Sequence, residues 1–229
     1  MERAPKLNLL LGMCLVFIQL LFHGGSTVGD GRKLVTNDKN PGFISIDCGA
    51  PNDYSDKETG LWYQTDTEFV ETGTNSMVLP STNTDNPHFG GLLNTLRSFP
   101  EGKRNCYTLK PKQGKRHTYL IRAYFLYGNY DGKNQTPTFD LYVGVNYWDT
   151  VDLRNNNYYY IPGIIHAPTT DTIPVCLVKT VVGVPFISAL ELRPLSNSIY
   201  QTSPLSHQSL LINRGSFDVA STSSAMLSR

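Results

Sequence analysis

Charge is thin in this sequence. Asp, Glu, Lys and Arg make up 17% of it, below the quarter or so usual for globular domains. The formal net charge is +1, and no basic run exceeds three residues. A protein that grips a nucleic-acid backbone needs clustered Lys and Arg, so no nucleic-acid partner is expected. Cys14, Cys48, Cys106 and Cys176 are widely scattered, as are His88, His117 and His166. Zinc ligands fall about two to four residues apart within each pair, so no metal is expected, nor any other cofactor. GxSxG, HExxH, a P-loop and GxGxxG are all missing, which removes the common signatures of acyl transfer, metalloproteolysis and nucleotide chemistry. Beyond the N-terminal run no stretch keeps a 3.6-residue apolar repeat, which excludes a helical bundle.

What is present suits strands. Hydrophobic residues reach 40% and aromatics 11%, with 13 Tyr. Tyr, Thr and other residues that pack well on a pleated surface favour sheets. The 229 residues fit one domain plus additional segments. The N-terminus is a separate object. Arg3 and Lys6 precede an apolar run over 7–22, broken only by Asn8 and Gln19, and Gly24, Gly25 and Ser26 follow. Basic, apolar, then small is the layout of a secretory signal, and the run is short of the ~20 residues that span a bilayer. Residues 1–26 are therefore expected to be a signal peptide, with an uncleaved anchor as the alternative. Glu2, Arg3 and Lys6 together carry +1, so the exported chain would be close to neutral. Cys48, Cys106 and Cys176 would then meet an oxidising compartment, with one bridge and one spare thiol.

Residues 27–40 are polar and aperiodic and are expected to be a linker. From Phe43 onward the pattern alternates. In "HTYLIRAYFLY" one face carries Tyr119, Ile121, Ala123, Phe125 and Tyr127, the other Leu120, Arg122, Tyr124 and Leu126. In "TFDLYVGV" Phe139, Leu141, Val143 and Val145 alternate with Asp140, Tyr142 and Gly144. "FISIDCG", "RNCYTL", "PVCLVKT" and "FISALELRPL" add further strands. In the last, Phe186, Leu190 and Leu192 should face inward, and Glu191 and Arg193 outward. "YGNYDG", "KPKQGK" and "KTVVGVP" supply turns, and a short helical turn is expected at 90–96. Roughly eight to ten short strands predict an all-β sandwich or jelly roll. After Pro194 the chain turns Ser-rich, and "SLLINRGSFDV" reads as one more strand, which either adds an edge to the sandwich or belongs to something larger.

"ISIDCGAPNDYSDKETGLWYQTD", "LRSFPEGKRNCYTL", "YLIRAYFLYGNYDG", "FDLYVGVNYWDTV", "VCLVKT" and "PFISALELRPL" together resemble the malectin-like extracellular domain of plant receptor-like kinases that carry leucine-rich repeats. The resemblance runs from about Phe43 to Leu195. It implies a malectin-like β-sandwich similar to carbohydrate-binding modules over 41–195, the first of two tandem units. It also implies that 196–229 holds a linker and the truncated start of the second unit. Signalling through a membrane helix and kinase would need parts that this chain lacks. Related receptor groups keep the "DCG" cysteine without the other two, so the resemblance favours a Cys106–Cys176 bridge, with the other pairings still open.

The turn at 127–131 is the first site candidate. A sugar site stacks an aromatic ring on a pyranose face and holds hydroxyls with Asp or Asn. Tyr127, Asn129, Tyr130 and Asp131 offer such groups at a strand end, where sandwich loops carry function. The resemblance places Tyr130 near an aromatic of the malectin disaccharide pocket. The plainer reading is a well-formed turn with its rings packed on the sheet. Trp148 is a second aromatic candidate, for stacking or for core. The Tyr-rich loop at 155–163 suits protein recognition. Asn134-Gln135-Thr136 is the N-glycosylation triplet, with Pro137 behind it to lower occupancy. The expected function is a non-enzymatic extracellular recognition module. Its partner would be a cell-wall glycan, a secreted peptide or a co-receptor, and its place secreted or on the outer face of the plasma membrane. The alternatives are a spacer without a ligand of its own, and a glycosidase using Asp131 and Asp140, which would need carboxylates about 5 Å or more apart.

Overall fold

A computed structural model describes residues 40–79, 91–115, 117–154 and 159–196, together with the backbone of 210–212. The expected signal peptide and nearly all of the linker lie outside the described residues. Every regular element among those described is a strand, and the strands are numbered here in chain order. One sheet runs, in spatial order, β14 (Leu210–Ile212), β10 (Gly163–His166), β7 (Tyr119–Tyr124), β13 (Ala189–Pro194), β1 (Ile44–Asp47), β3 (Trp62–Thr65) and β2 (Tyr54–Ser55). A second runs β6 (Arg104–Leu109), β11 (Ile173–Val182), β8 (Thr138–Val143) and β9 (Asn146–Asp152). A third is β12 (Phe186–Ile187), β5 (Thr95–Ser98) and β4 (Thr74–Met77). All pairs are antiparallel except β1 with β3. The all-β class is as the alternation predicts.

The strands outnumber the expected eight to ten because short, polar ones carry little alternation. β4, "TNSM", is mostly exposed and edges its sheet. The expected helical turn at 90–96 is only a turn at 91–93, and Thr95 already belongs to β5, paired with Met77. Leu92, Leu93 and Leu96 mimic helical spacing, yet all three reach the core from a turn and a strand. The tail segment does add an edge: Leu210–Ile212 pair with Ile165–Gly163 of β10.

The core lies between the sheets. Tyr119, Ile121, Ala123 and Phe125 follow one face of β7, while Phe139, Leu141, Val143, Val175, Leu177, Tyr107 and Leu109 answer from the four-stranded sheet. The Phe125 ring lies 5.6 Å from Phe139 and 6.1 Å from Phe186, and Phe139 lies 5.8 Å from Phe186. Each such side chain removes apolar area worth about 1.5–3 kcal/mol.

Glu191 and Arg193, expected outward, are buried at 4% and 8% exposure. β13 is an inner strand between β7 and β1, and on its second face aromatic and polar side chains close over both. Tyr63 and Tyr124 donate their hydroxyls to Glu191 at 2.6 and 2.9 Å. Arg193 Nη2 lies 2.9 Å from Glu191 Oε1, Nη1 donates to Ile44 O at 2.8 Å, and the guanidinium covers the Phe43 ring. Burial first, and the Glu191 charge next, push the Tyr63 and Tyr124 hydroxyls well above their usual range.

Cys106 and Cys176 stand directly opposite on β6 and β11 and form a disulfide across a sequence separation of 70. Closing a loop of that length in the unfolded chain stabilises the fold by about 2–5 kcal/mol. Cys48 is a buried free thiol.

The sheets meet at Asp66, which follows β3 and is fully buried. Arg97 of β5 donates to it twice, from Nε and Nη2, both at 2.6 Å. Tyr107 of β6 donates at 3.0 Å and the Gly49 N–H at 3.3 Å. Gly49 has φ +80, and a Cβ there would fall 2.4 Å from Leu96 O. Only glycine fits so close an approach. Arg97→Ala would leave the carboxylate buried without its partner and is expected to cost about 3–5 kcal/mol. Chemical denaturation of the secreted chain measures this, and a loss below about 1 kcal/mol would show that water replaces the guanidinium.

Candidate functional site

β7 runs on through Phe125 into the turn that carries the first candidates. Asn129 and Asn134 adopt left-handed φ of 49° and 52°, a conformation that Asn tolerates better than other side chains. The Tyr130 N–H donates to Tyr127 O at 3.2 Å and the Gly132 N–H to Asn129 O at 2.9 Å. This folding brings Tyr127, Asn129, Tyr130 and Asp131 together.

The polar atoms of the turn face each other. The Tyr127 hydroxyl donates to Asp131 Oδ1, which also accepts the Lys133 N–H at 3.2 Å. Lys133 Nζ lies 3.8 Å from Asp131 Oδ2. Asn129 Oδ1 accepts the Asn134 N–H at 2.8 Å, and Tyr127 Oη accepts the Gln135 N–H at 3.3 Å. Tyr127 itself is buried. Tyr130 is half-buried, with its ring 5.6 Å from Tyr127 and 5.7 Å from Phe186. Burial first, then the Asp131 charge, push its hydroxyl up to about 12. One ring side is thus packed, and the groups that would hold sugar hydroxyls already close the turn.

Trp148 is corrected to core. It is 1% exposed, because β9 alternates Tyr147 outward and Trp148 inward. A ring enclosed on all sides cannot stack on a ligand. Of the Tyr-rich loop, residues 155–158 lie outside the described residues. Tyr160 bridges to Phe125 through its backbone and donates its hydroxyl to Asp149. Asn134 is exposed. Asp140 accepts from Thr150 Oγ1 at 2.7 Å, while Asp131 is engaged within its own turn. Each of the two carboxylates has separate structural partners.

The residues that the alternation should have drawn attention to are Tyr142 and Tyr147, which face outward on the four-stranded sheet. Their rings meet edge to face at 5.7 Å, and the Arg104 guanidinium lies 4.9 Å above Tyr142.

A family model described as the malectin-like domain matches residues 46–227. A leucine-rich repeat receptor-like serine/threonine-protein kinase of Arabidopsis thaliana is 46% identical over 171 residues, covering 74% of this chain and 19% of the kinase. A receptor-like protein kinase of the same plant is 42% identical over 205 residues, covering 88% and 21%. The chain thus spans about a fifth of the length of these curated relatives. Among solved structures, the ANX2 ectodomain of Arabidopsis thaliana aligns with a TM-score of 0.57 at 18% identity, over 68% of this chain and 42% of that one. A crystal structure of the plant peptide RALF23 with FER and LLG2 contains a chain that aligns with a TM-score of 0.57 at 14% identity, over 68% and 49%. At such identities the likeness is one of fold.

One buried carboxyl remains. Asp47, at the end of β1, accepts from Tyr54 Oη at 2.7 Å and Thr95 Oγ1 at 3.0 Å. Burial pushes it up from 3.8 to about 7, with a smaller upward push from Asp66; the two hydrogen bonds oppose the rise. The folded chain therefore keeps a proton that the unfolded chain releases above its ordinary value. Its contribution to stability is full below about pH 4 and falls as pH rises towards 7, by up to about 4 kcal/mol. The melting temperature is expected to drop between pH 5 and pH 8, and Asp47→Asn to flatten that drop. Identical slopes in the two proteins would show that Asp47 ionises normally.

Proposed function

The chain belongs to the malectin-like domain family, and from that premise we propose that it is a non-enzymatic recognition module of a receptor-kinase ectodomain. It is displayed outside the cell and engages a secreted peptide or a co-receptor protein beside it. The observation that carries this reading is the rim around Tyr130. Leu79 donates its N–H to Gly128 O at 3.1 Å, which sets it against the turn. Pro137 lies against Gly183, which brings the exposed Val181 and Val182 to the same end of the sandwich. A tyrosine half-buried against Tyr127 and Phe186, on a turn whose polar atoms are engaged, at an end of the sandwich that also carries exposed aliphatic side chains, suits a protein surface better than a sugar. Tyrosine gives large amphipathic contact at low entropy cost. The crystal structure of the plant peptide RALF23 in complex with FER and LLG2, one chain of which aligns with this one, supports the same class of partner.

In this reading residues 1–26 direct export and Asn134 carries a glycan on the exposed side of the turn. Residues 196–229 begin the next unit, its first strand laid on β10. Secreted protein from plant cells should begin near residues 25–29 and lose mass at Asn134 on treatment with peptide N-glycosidase. A product retaining Met1 and insensitive to the glycosidase would refute the export reading.

The partner reading is tested by screening the secreted chain against a library of synthetic secreted plant peptides by interferometry. At least one peptide should bind, and Tyr130→Ala should weaken it about 30-fold, the size of a tyrosine hot spot. Absence of any binder, or equal binding by the variant, would overturn it.

A further inference from the structure

Arg97 is paired with Asp66, Arg193 with Glu191 and Arg154 with Asp152, and Arg104 donates to Gly144 O. Among the described residues Arg122 of β7 is the exception. None of its side-chain nitrogens is hydrogen-bonded or ion-paired, and its Nε is fully enclosed without an acceptor. The side chain is half-buried on the second face of the seven-stranded sheet. Directly opposite it on β13 stands Glu191, whose carboxylate already serves Tyr63, Tyr124 and Arg193. Asp47, the other buried acid of this face, accepts from Tyr54 and Thr95. Arg122 is thus left without a carboxylate. On its other side, opposite it on β10, stands Gly163. This glycine is partly exposed, and a Cβ built on it would lie 3.7 Å from Arg122 Cγ and from Leu120 Cδ1. The missing side chain leaves a notch in the sheet face, walled by the Arg122 stem and the half-buried Leu120.

We propose that this notch binds a carboxylate of a peptide chain, a C-terminus or an Asp or Glu side chain, held end-on by the two Nη groups of Arg122. Three observations select this ligand. Arg122 and Arg193 share the face with the single charge of Glu191, so the local balance lacks one negative group. A planar guanidinium matches a carboxylate with two parallel N–H donors. The enclosed Nε shows that packing, not a polar partner, holds the side chain in place, so the fork is set before the ligand arrives and the ordering cost of binding falls. Leu120 beside the fork gives the aliphatic part of a peptide residue apolar contact, which an inorganic anion could not use. The source of the carboxylate rests on the peptide-partner reading above. The notch shares no residue with the rim around Tyr130, and small probes bind it or fail to whether or not that rim takes a partner.

Heteronuclear NMR of the secreted full chain tests this by following the Arg122 Nε–H and Leu120 methyl resonances. The probes are acetyl-Ala-Ala-Leu with a free C-terminus, the same peptide as its C-terminal amide, and acetyl-Ala-Asp-Leu amide. The free acid, the Asp peptide or both should shift these resonances saturably, which tells a chain end from a side chain, and the plain amide should not. Arg122→Gln should weaken the acid about tenfold, the size of one lost charge-assisted hydrogen bond. Gly163→Val should fill the notch and weaken it several-fold while keeping the charge, and Tyr130→Ala should leave it unchanged. Valine suits a strand, so Gly163→Val should keep the wild-type circular dichroism, and the comparison of acid with amide on the wild-type chain needs no variant at all. No shift with either acid, an equal shift with the plain amide, full affinity in Arg122→Gln, or a response to trigalacturonic acid alone would overturn the proposal.

Discussion

A fully buried carboxylate must find its hydrogen bonds inside the protein, and Asp66 finds them on three other segments. Two come from Arg97, one from Tyr107 and one from the Gly49 backbone. These donors sit on β5, on β6 and just beyond β1, so one side chain joins strands from all three sheets. An isolated ion would be costly at that depth. Paired in this geometry it ties the strand that carries Arg97 to the segment after β3. The charge on Asp66 also reaches Cys48 and Asp47, adding to the burial that pushes the thiol and the neighbouring carboxyl above their ordinary values.

That junction leaves the rest of the sandwich free to present two unlike surfaces. At one end the chain closes a turn around Tyr127 and Asp131, using its polar atoms on itself and leaving the Tyr130 ring half-buried against Tyr127 and Phe186. On the outer face of the four-stranded sheet Tyr147 is exposed and its hydroxyl is hydrogen-bonded to Thr150, which donates to Asp140. Cys106 and Cys176 lie on the outward side of their strands, where the disulfide ties β6 to β11 directly.

The seven-stranded sheet shows a different economy. Its inner face is apolar, while its second face carries Asp47, Tyr63, Tyr124, Glu191 and Arg193, all buried. Buried polar groups need partners: Tyr63, Tyr124 and Arg193 converge on Glu191, and Asp47 accepts from Tyr54 and Thr95. β14 then extends the same sheet at β10, so the tail segment meets the sandwich through backbone hydrogen bonds.

The alternation of residues along β7 and β8 determined much of this from the sequence alone. It identified the strands, their inner faces and the all-β class, because a period of two has one physical meaning when one face is buried. Tyr147 and Trp148 fall just beyond Val145, where the alternation read as a strand ends. Which of them pointed inward was decided only by the pairing. A register shift after Leu141 sets Tyr142 against Tyr147 and carries Trp148 into the core. Glu191 and Arg193 went unread for a similar reason, since polar character predicts exposure only until tyrosine hydroxyls from distant strands arrive to hydrogen-bond the charge. The turn at Tyr127–Asp131 was visible as a cluster of residue types. That its hydrogen bonds close on themselves depends on left-handed backbone at Asn129 and Asn134, a matter of a few ångströms that composition does not encode.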